Sequence, residues 1–324
     1  MTSSQIRNGQ MTSDKMSSQS VLPESTLRSR PIAEAALPAA RLMYWSVRRE
    51  LWENRWIYVA PVAMSAMFLF GFSISLIHML VMKHAAPWLD PTQESELFRQ
   101  PYEVAENMVM ASAILVGMFY SIDALYGERR DRSILFWKSL PVSDAFTVLS
   151  KASIPIVVLP LLAFVITVLT QWLMLLMSSA ALLAMGLNVT ALWYRMSIAH
   201  TWVMLLFHFF FIHGLSQAPI YGWLLLISVA ARRAPILWAV LPPLAIGFAE
   251  KAAFNTTRFG TMIGDRFTGG SEGVTTMEAG RSMATMTFLG PAHFLINPGL
   301  WIGLAITAAF LAATVRLRRY RGPI

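Results

Sequence analysis

The sequence predicts an all-α integral membrane protein with six transmembrane helices and both termini in the cytoplasm. Composition is the first reason: 56% of the 324 residues are hydrophobic, 14% are charged and the mean hydropathy is +0.52. A soluble domain carries about 25% charged residues. The second is the length of the uncharged stretches. None of the residues between Arg55 and Lys83 is charged, and Ala152–Tyr194, Met196–Ala231 and Ser282–Val315 are equally free of charge. Crossing a hydrocarbon core takes about 20 apolar residues in a helix, because every backbone polar group must find its partner within the segment. The third is the placement of the cations. The segments assigned to the cytoplasm hold 19 of the 26 Lys and Arg residues, and the longer outer segments hold Lys83, Arg99, Arg195, Lys251, Arg258, Arg266 and Arg281. That asymmetry is the positive-inside pattern.

Taken in order, residues 1–40 are rich in Ser, Thr, Gln and Arg without apolar period, and read as a disordered tail. Residues 41–57 form an amphipathic helix with Leu42, Trp45, Trp52 and Trp56 near one face, suited to the membrane surface. The remainder, 58–320, is the transmembrane domain. Its spans are Tyr58–Met82, Met108–Tyr126, Ile154–Ser178, Thr201–Ala230, Ile236–Phe254 and Pro298–Val315, with a cytoplasmic loop at 127–152 and an outer segment at 255–294. The uncharged run from Ala152 to Tyr194 could hold a hairpin of two short helices. No Gly or Pro interrupts Leu161–Met185, where the turn would fall, so one long helix is expected. Gly214 and Pro219 in the fourth span, and Pro242-Pro243 in the fifth, mark expected kinks.

Several chemistries are excluded or disfavoured. With no cysteine there is neither a disulfide nor a thiolate site. The net charge of +8 sits at helix ends, where it meets anionic lipid, so no nucleic-acid role is expected. No metal site is expected either, since His208 and His213, five residues apart, fall about 140° apart around an α-helix.

The most informative segment follows the second span: Glu128-Arg129-Arg130-Asp131-Arg132-Ser133, then Ile134-Leu135-Phe136-Trp137, then Lys138 to Pro141, Val142 and Ser143. Four bulky apolar residues inside a charged loop are costly in water, and they read as a short helix, stopped near Pro141, whose face docks into something. The ordinary alternative is docking on the membrane or on the chain's own helices. In this loop, and in the order of its elements from about Arg41 to Tyr320, the chain resembles the permease subunits of ABC-2 type transporters of bacteria. The resemblance implies that the loop is a coupling helix received by a groove on a cytoplasmic ATPase, with Ile134, Leu135, Phe136 and Trp137 as the docking residues. It further implies a second permease copy or paralogue, an inner-membrane location, and ATP with Mg on the partner rather than on this chain. One departure stands out: where the family often has Gly-Thr after the charged cluster, this chain has Arg132-Ser133.

No Walker-type loop ending in Gly-Lys-Ser/Thr occurs, so any ATP must be bound by a partner. Asp123, near the inner end of the second span, and Ser216 and Gln217, at the expected break in the fourth, are the candidate polar residues of the bundle or pathway. The rival classes are an intramembrane lipid-modifying enzyme using His208, His213 or Asp123, and a membrane anchor or sensor. The first lacks paired catalytic groups in the spans, and the second leaves the docking loop without purpose.

Overall fold

The computed structural model describes residues 39–85, 91–135, 143–184, 189, 198–268 and 296–321. It comprises a unit Met1–Leu42, described only from residue 39, and a unit Met43–Ile324. The tail expected over 1–40 therefore falls, up to residue 38, outside the described residues. The helices are α1 Ala39–Glu53, α2 Trp56–Ala85, α3 Pro91–Asp123, α4 Tyr126–Arg130, α5 Asp144–Ser153, α6 Leu159–Ala184, α7 Ile198–Phe207, α8 Ala218–Ala230, α9 Pro235–Phe254, α10 Arg258–Thr268 and α11 Pro298–Tyr320. Two π-helical segments, π1 Ile154–Val158 and π2 His208–Leu215, join α5 to α6 and follow α7. There is no strand among the described residues.

Five helices are long and apolar enough to cross a membrane, and a sixth crossing is made if Thr201–Leu215 and Ala218–Ala230, bent by 41°, act as one broken span. The bend falls at Ser216-Gln217, where Gly214 and Pro219 predicted it. The third crossing is a single rod, Asp144–Leu183, rather than a hairpin. The second differs from expectation: α3 begins at Pro91, not near Met108. Its first turns are rich in Gln and Glu, which favour helix as strongly as they oppose lipid, so the helix outruns its apolar part. Likewise α11 continues past Val315 to Tyr320.

Burial is divided unevenly. Val109, Met110, Ala113, Ile154, Leu159, Ala163 and Phe209 form the main core between α3, π1, α6 and π2. A smaller cluster of Leu125, Ala152, Leu225 and Val229, flanked by Leu311 and Leu317, joins the link between α3 and α4 to α5, α8 and α11. By contrast Ile236, Leu237, Trp238, Leu241, Leu244 and Phe248 of α9, and Met67, Phe70, Ile74 and Ile77 of α2, are exposed. So large an apolar surface is untenable in water and ordinary in lipid.

The first π segment has a local cause. Pro160 lacks the N–H that would bond to the Ile156 carbonyl in an α-helix, and the ladder slips to the wider spacing, with the Leu159 N–H donating to the Ile154 carbonyl. Gly214 of π2 packs on the same region: a Cβ there would stand 2.6 Å from the Ile156 oxygen. Only a glycine lets these two backbones meet.

Candidate functional site

The loop after α3 begins by docking on α8. The backbone N–H groups of Leu125 and Tyr126 donate to Ser228 Oγ at 3.0 and 2.8 Å. Arg129 is buried, and its Nη1 donates to the carbonyls of Val229 at 2.7 Å and Ala231 at 3.0 Å. Arg321, just past α11, donates to the Ala230 carbonyl at 3.0 Å. Carbonyls at a helix C-terminus have no intrahelical partner and carry the negative end of the dipole, so two guanidinium groups satisfy both needs of α8.

Glu128 sits at the centre of a buried line of charge. Its Oε1 lies 3.2 Å from Lys151 Nζ of α5, and its Oε2 lies 3.2 Å from Arg318 Nη2 of α11. Lys151 also donates to Glu50 Oε1 of α1 at 2.8 Å, and Arg318 Nε lies 3.1 Å from Asp144 Oδ1 at the start of α5. The Tyr120 hydroxyl donates to Glu50 Oε2 at 2.9 Å, bringing in α3. Lys151 and Arg318 are almost wholly enclosed. Charges so placed are tolerated only because each has an opposite neighbour, and the arrangement fixes α1, α3, α4, α5 and α11 in one register.

The other residues picked out in the loop separate into two groups. Arg130 is exposed and pairs with Asp131 at 3.0 Å, and Ser133 Oγ donates to the Glu128 carbonyl at 3.4 Å. Ile134 is buried in the chain's own fold, which corrects the expectation that it faces a partner; it anchors the segment, and Leu135 is the exposed neighbour. Phe136, Trp137 and Pro141 lie outside the described residues. Arg132 adopts φ 58°, the left-handed region that suits glycine, so the chain carries arginine where its backbone conformation favours a residue without a side chain. Asp123 is exposed at the end of α3 beside Gly127, whose absent side chain leaves room for its carboxylate.

A second polar group lies along the broken span. The Tyr221 hydroxyl donates to Gln217 Oε1 at 3.0 Å, Gln217 Nε2 is 3.1 Å from His213 Nδ1, and His213 Nε2 is 3.2 Å from His208 Nε2. The expectation that the two histidines cannot share a face is thus overturned. The π-helix takes more residues per turn, and positions five apart come together. Among the described residues no three His, Cys, Asp or Glu side chains form a metal-ligand group. Ser216 is buried at the bend, and its carbonyl accepts from Arg266 Nη1 of α10 at 3.1 Å. The same guanidinium donates to the Gly299 carbonyl at 3.2 Å and occupies the space beside Gly303, so burial lowers its pKa.

Sequence reasoning found Glu128, Arg129 and Gln217 but missed Glu50, Asp144, Lys151 and Arg318. Lys151 and Arg318 had one signal, each being a charge within three residues of the end of a predicted span; Glu50, inside the predicted amphipathic helix, and Asp144, in the predicted loop, had none. The fold and these buried clusters define a multi-helix membrane protein. No protein family, curated protein or solved structure matches the chain.

Proposed function

We propose that this chain is the permease subunit of an ATP-driven exporter of the ABC-2 type in the inner (plasma) membrane. A separate cytoplasmic ATPase binds ATP and Mg, and a second permease copy or paralogue completes the path. The observation that carries the reading is the buried line Glu50, Lys151, Glu128, Arg318 and Asp144 at the root of the loop. A push on a loop is lost if the loop is hinged freely, whereas one rooted by enclosed ion pairs on α1, α5 and α11 moves those helices as a body. The exposed Leu135 leads directly into Phe136 and Trp137, the aromatic pair assigned to the ATPase groove. Six crossings put both termini on one side, which the distribution of Lys and Arg assigns to the cytoplasm, and the exposed apolar faces of α9 and α2 meet lipid and the second permease.

The test is co-purification. Replacing Phe136 and Trp137 by Ala is expected to release a co-expressed cytoplasmic ATPase while the permease still inserts and purifies as a folded protein. Retention of the ATPase at the wild-type ratio would refute the assignment of this loop.

A further inference from the structure

One face of α1 is fastened to the bundle. Glu50 accepts from Lys151 Nζ at 2.8 Å and from the Tyr120 hydroxyl at 2.9 Å, and Val47 and Leu51 pack on the main core. Tyr120 stands close to the end of α3 and Lys151 about two turns inside the third rod, so α1 lies level with the ends of two spans. The opposite face is bare. Trp45 and Trp52 are 57% and 72% exposed, and the Arg48 guanidinium carbon lies 5.2 Å from one ring centroid and 6.0 Å from the other. These three residues fall within about 60° of arc around the helix, and Glu50 is about 170° from their middle.

Rings hold a guanidinium by its charge without neutralising it. Among the described residues no carboxylate pairs with Arg48, whereas its neighbour Arg49 pairs with Glu53 at 2.6 Å. Arg55, exposed in the link to α2, has no such pair either. The face therefore presents two uncompensated positive charges beside two large open rings.

These properties select the occupant. Exposed tryptophan is costly in water and favoured at the headgroup level of a bilayer. A guanidinium without a carboxylate partner suits phosphate oxygens, which accept from its N–H groups in pairs. A zwitterionic headgroup brings a cation of its own, which Arg48 and Arg55 repel. An anionic headgroup brings none.

We propose that Trp45, Arg48 and Trp52 form a headgroup site for an anionic phospholipid in the leaflet on the side of α1, with Arg48 donating to the phosphate. Lipid on the outer face and Glu50 on the inner face then hold the same helix, so headgroup binding bears on the buried line of charge. The inference goes beyond the transport reading and does not rest on it. Either can fail while the other stands, since the site is measured without any ATPase.

The chain has no cysteine of its own, so Tyr44→Cys places one environment-sensitive fluorophore beside Trp45 in the full chain. The labelled protein in detergent is titrated with phosphatidylglycerol, with phosphatidylcholine of the same acyl chains, and with glycerol phosphate. Phosphatidylglycerol is expected to shift the emission saturably, and the other two to leave it unchanged over the same range. Adding Arg48→Gln should raise the half-saturating phosphatidylglycerol concentration about 5-fold, the usual worth of one basic residue at an anionic surface. No shift, or an equal one with phosphatidylcholine, would mean that the face has no anionic-lipid site. An equal shift with glycerol phosphate would make it a small-anion site, and an unchanged half-saturation in the variant would remove Arg48 from it. Each of these results overturns the proposal. Should the variant fail to purify folded, the wild-type chain is treated with phenylglyoxal in the presence of each lipid. Slower modification of Arg48 with phosphatidylglycerol than with phosphatidylcholine supports the site, and equal rates refute it.

Discussion

At Glu128 one carboxylate meets two cations from different helices, Lys151 Nζ at 3.2 Å and Arg318 Nη2 at 3.2 Å. Removing one member strands the others, and breaking a buried pair typically costs about 3–5 kcal/mol. Glu128→Gln should therefore lower unfolding stability by about 3 kcal/mol, measured by denaturation in detergent, and Arg318→Met by a similar amount. The double variant should cost less than the two losses combined, because the partners are coupled. Strict additivity would mean that the pair is not a unit. Arg132 predicts the opposite sign. Its φ of 58° is strained for arginine and free for glycine, so Arg132→Gly should raise stability by roughly 0.5–1 kcal/mol. Glu128 was legible in the sequence because it belongs to a motif. Its partner Lys151 was not, for a contact closed by tertiary packing between distant helices leaves no periodic trace along the chain.

Among the elements, the π segments mark where sequence reasoning stopped. Apolar length and the absence of breakers were enough to predict the long third helix, and Gly214 with Pro219 predicted the break in the fourth span. The face shared by His208 and His213 was invisible, since the reading assumed 3.6 residues per turn throughout. For π1 a signal was available in Pro160, as a proline inside a helix frees a carbonyl four residues back; π2 contains no proline. The contact between π1 and π2 depends on Gly214, where a methyl group would sit 2.6 Å from the Ile156 oxygen. Gly214→Ala should therefore destabilise the chain by about 1–3 kcal/mol and loosen the polar line from His208 to Tyr221. Gly71→Ala is the control: nothing lies within 4 Å of its added Cβ, and alanine's higher helix propensity should leave stability equal or better. Thermal unfolding in detergent distinguishes the two, and equal effects would show that the close approach is not maintained in the folded protein.

For the molecule as a whole, composition and charge placement were enough to predict an all-helical membrane protein, because lipid imposes its rules on every residue of a span at once. The orientation follows from how many helices cross, and α9 is the critical case. It is 20 residues long, about 30 Å, which just matches the hydrocarbon core. Its ends are set by Ala234 and Asn255, both in the left-handed conformation that stops a helix. Its sides are apolar nearly all round, so no face is reserved for water. If α9 crosses, Arg233 before it and Thr261 of α10 after it lie on opposite sides. The absence of native cysteine makes this directly measurable. In intact cells a membrane-impermeant maleimide should label Thr261→Cys and spare Arg233→Cys until the membrane is permeabilised. Labelling of both from outside would mean that α9 lies along the surface. The charge asymmetry would then have assigned the sides wrongly, and the loop at Glu128 would lie outside, which the proposed coupling role does not allow.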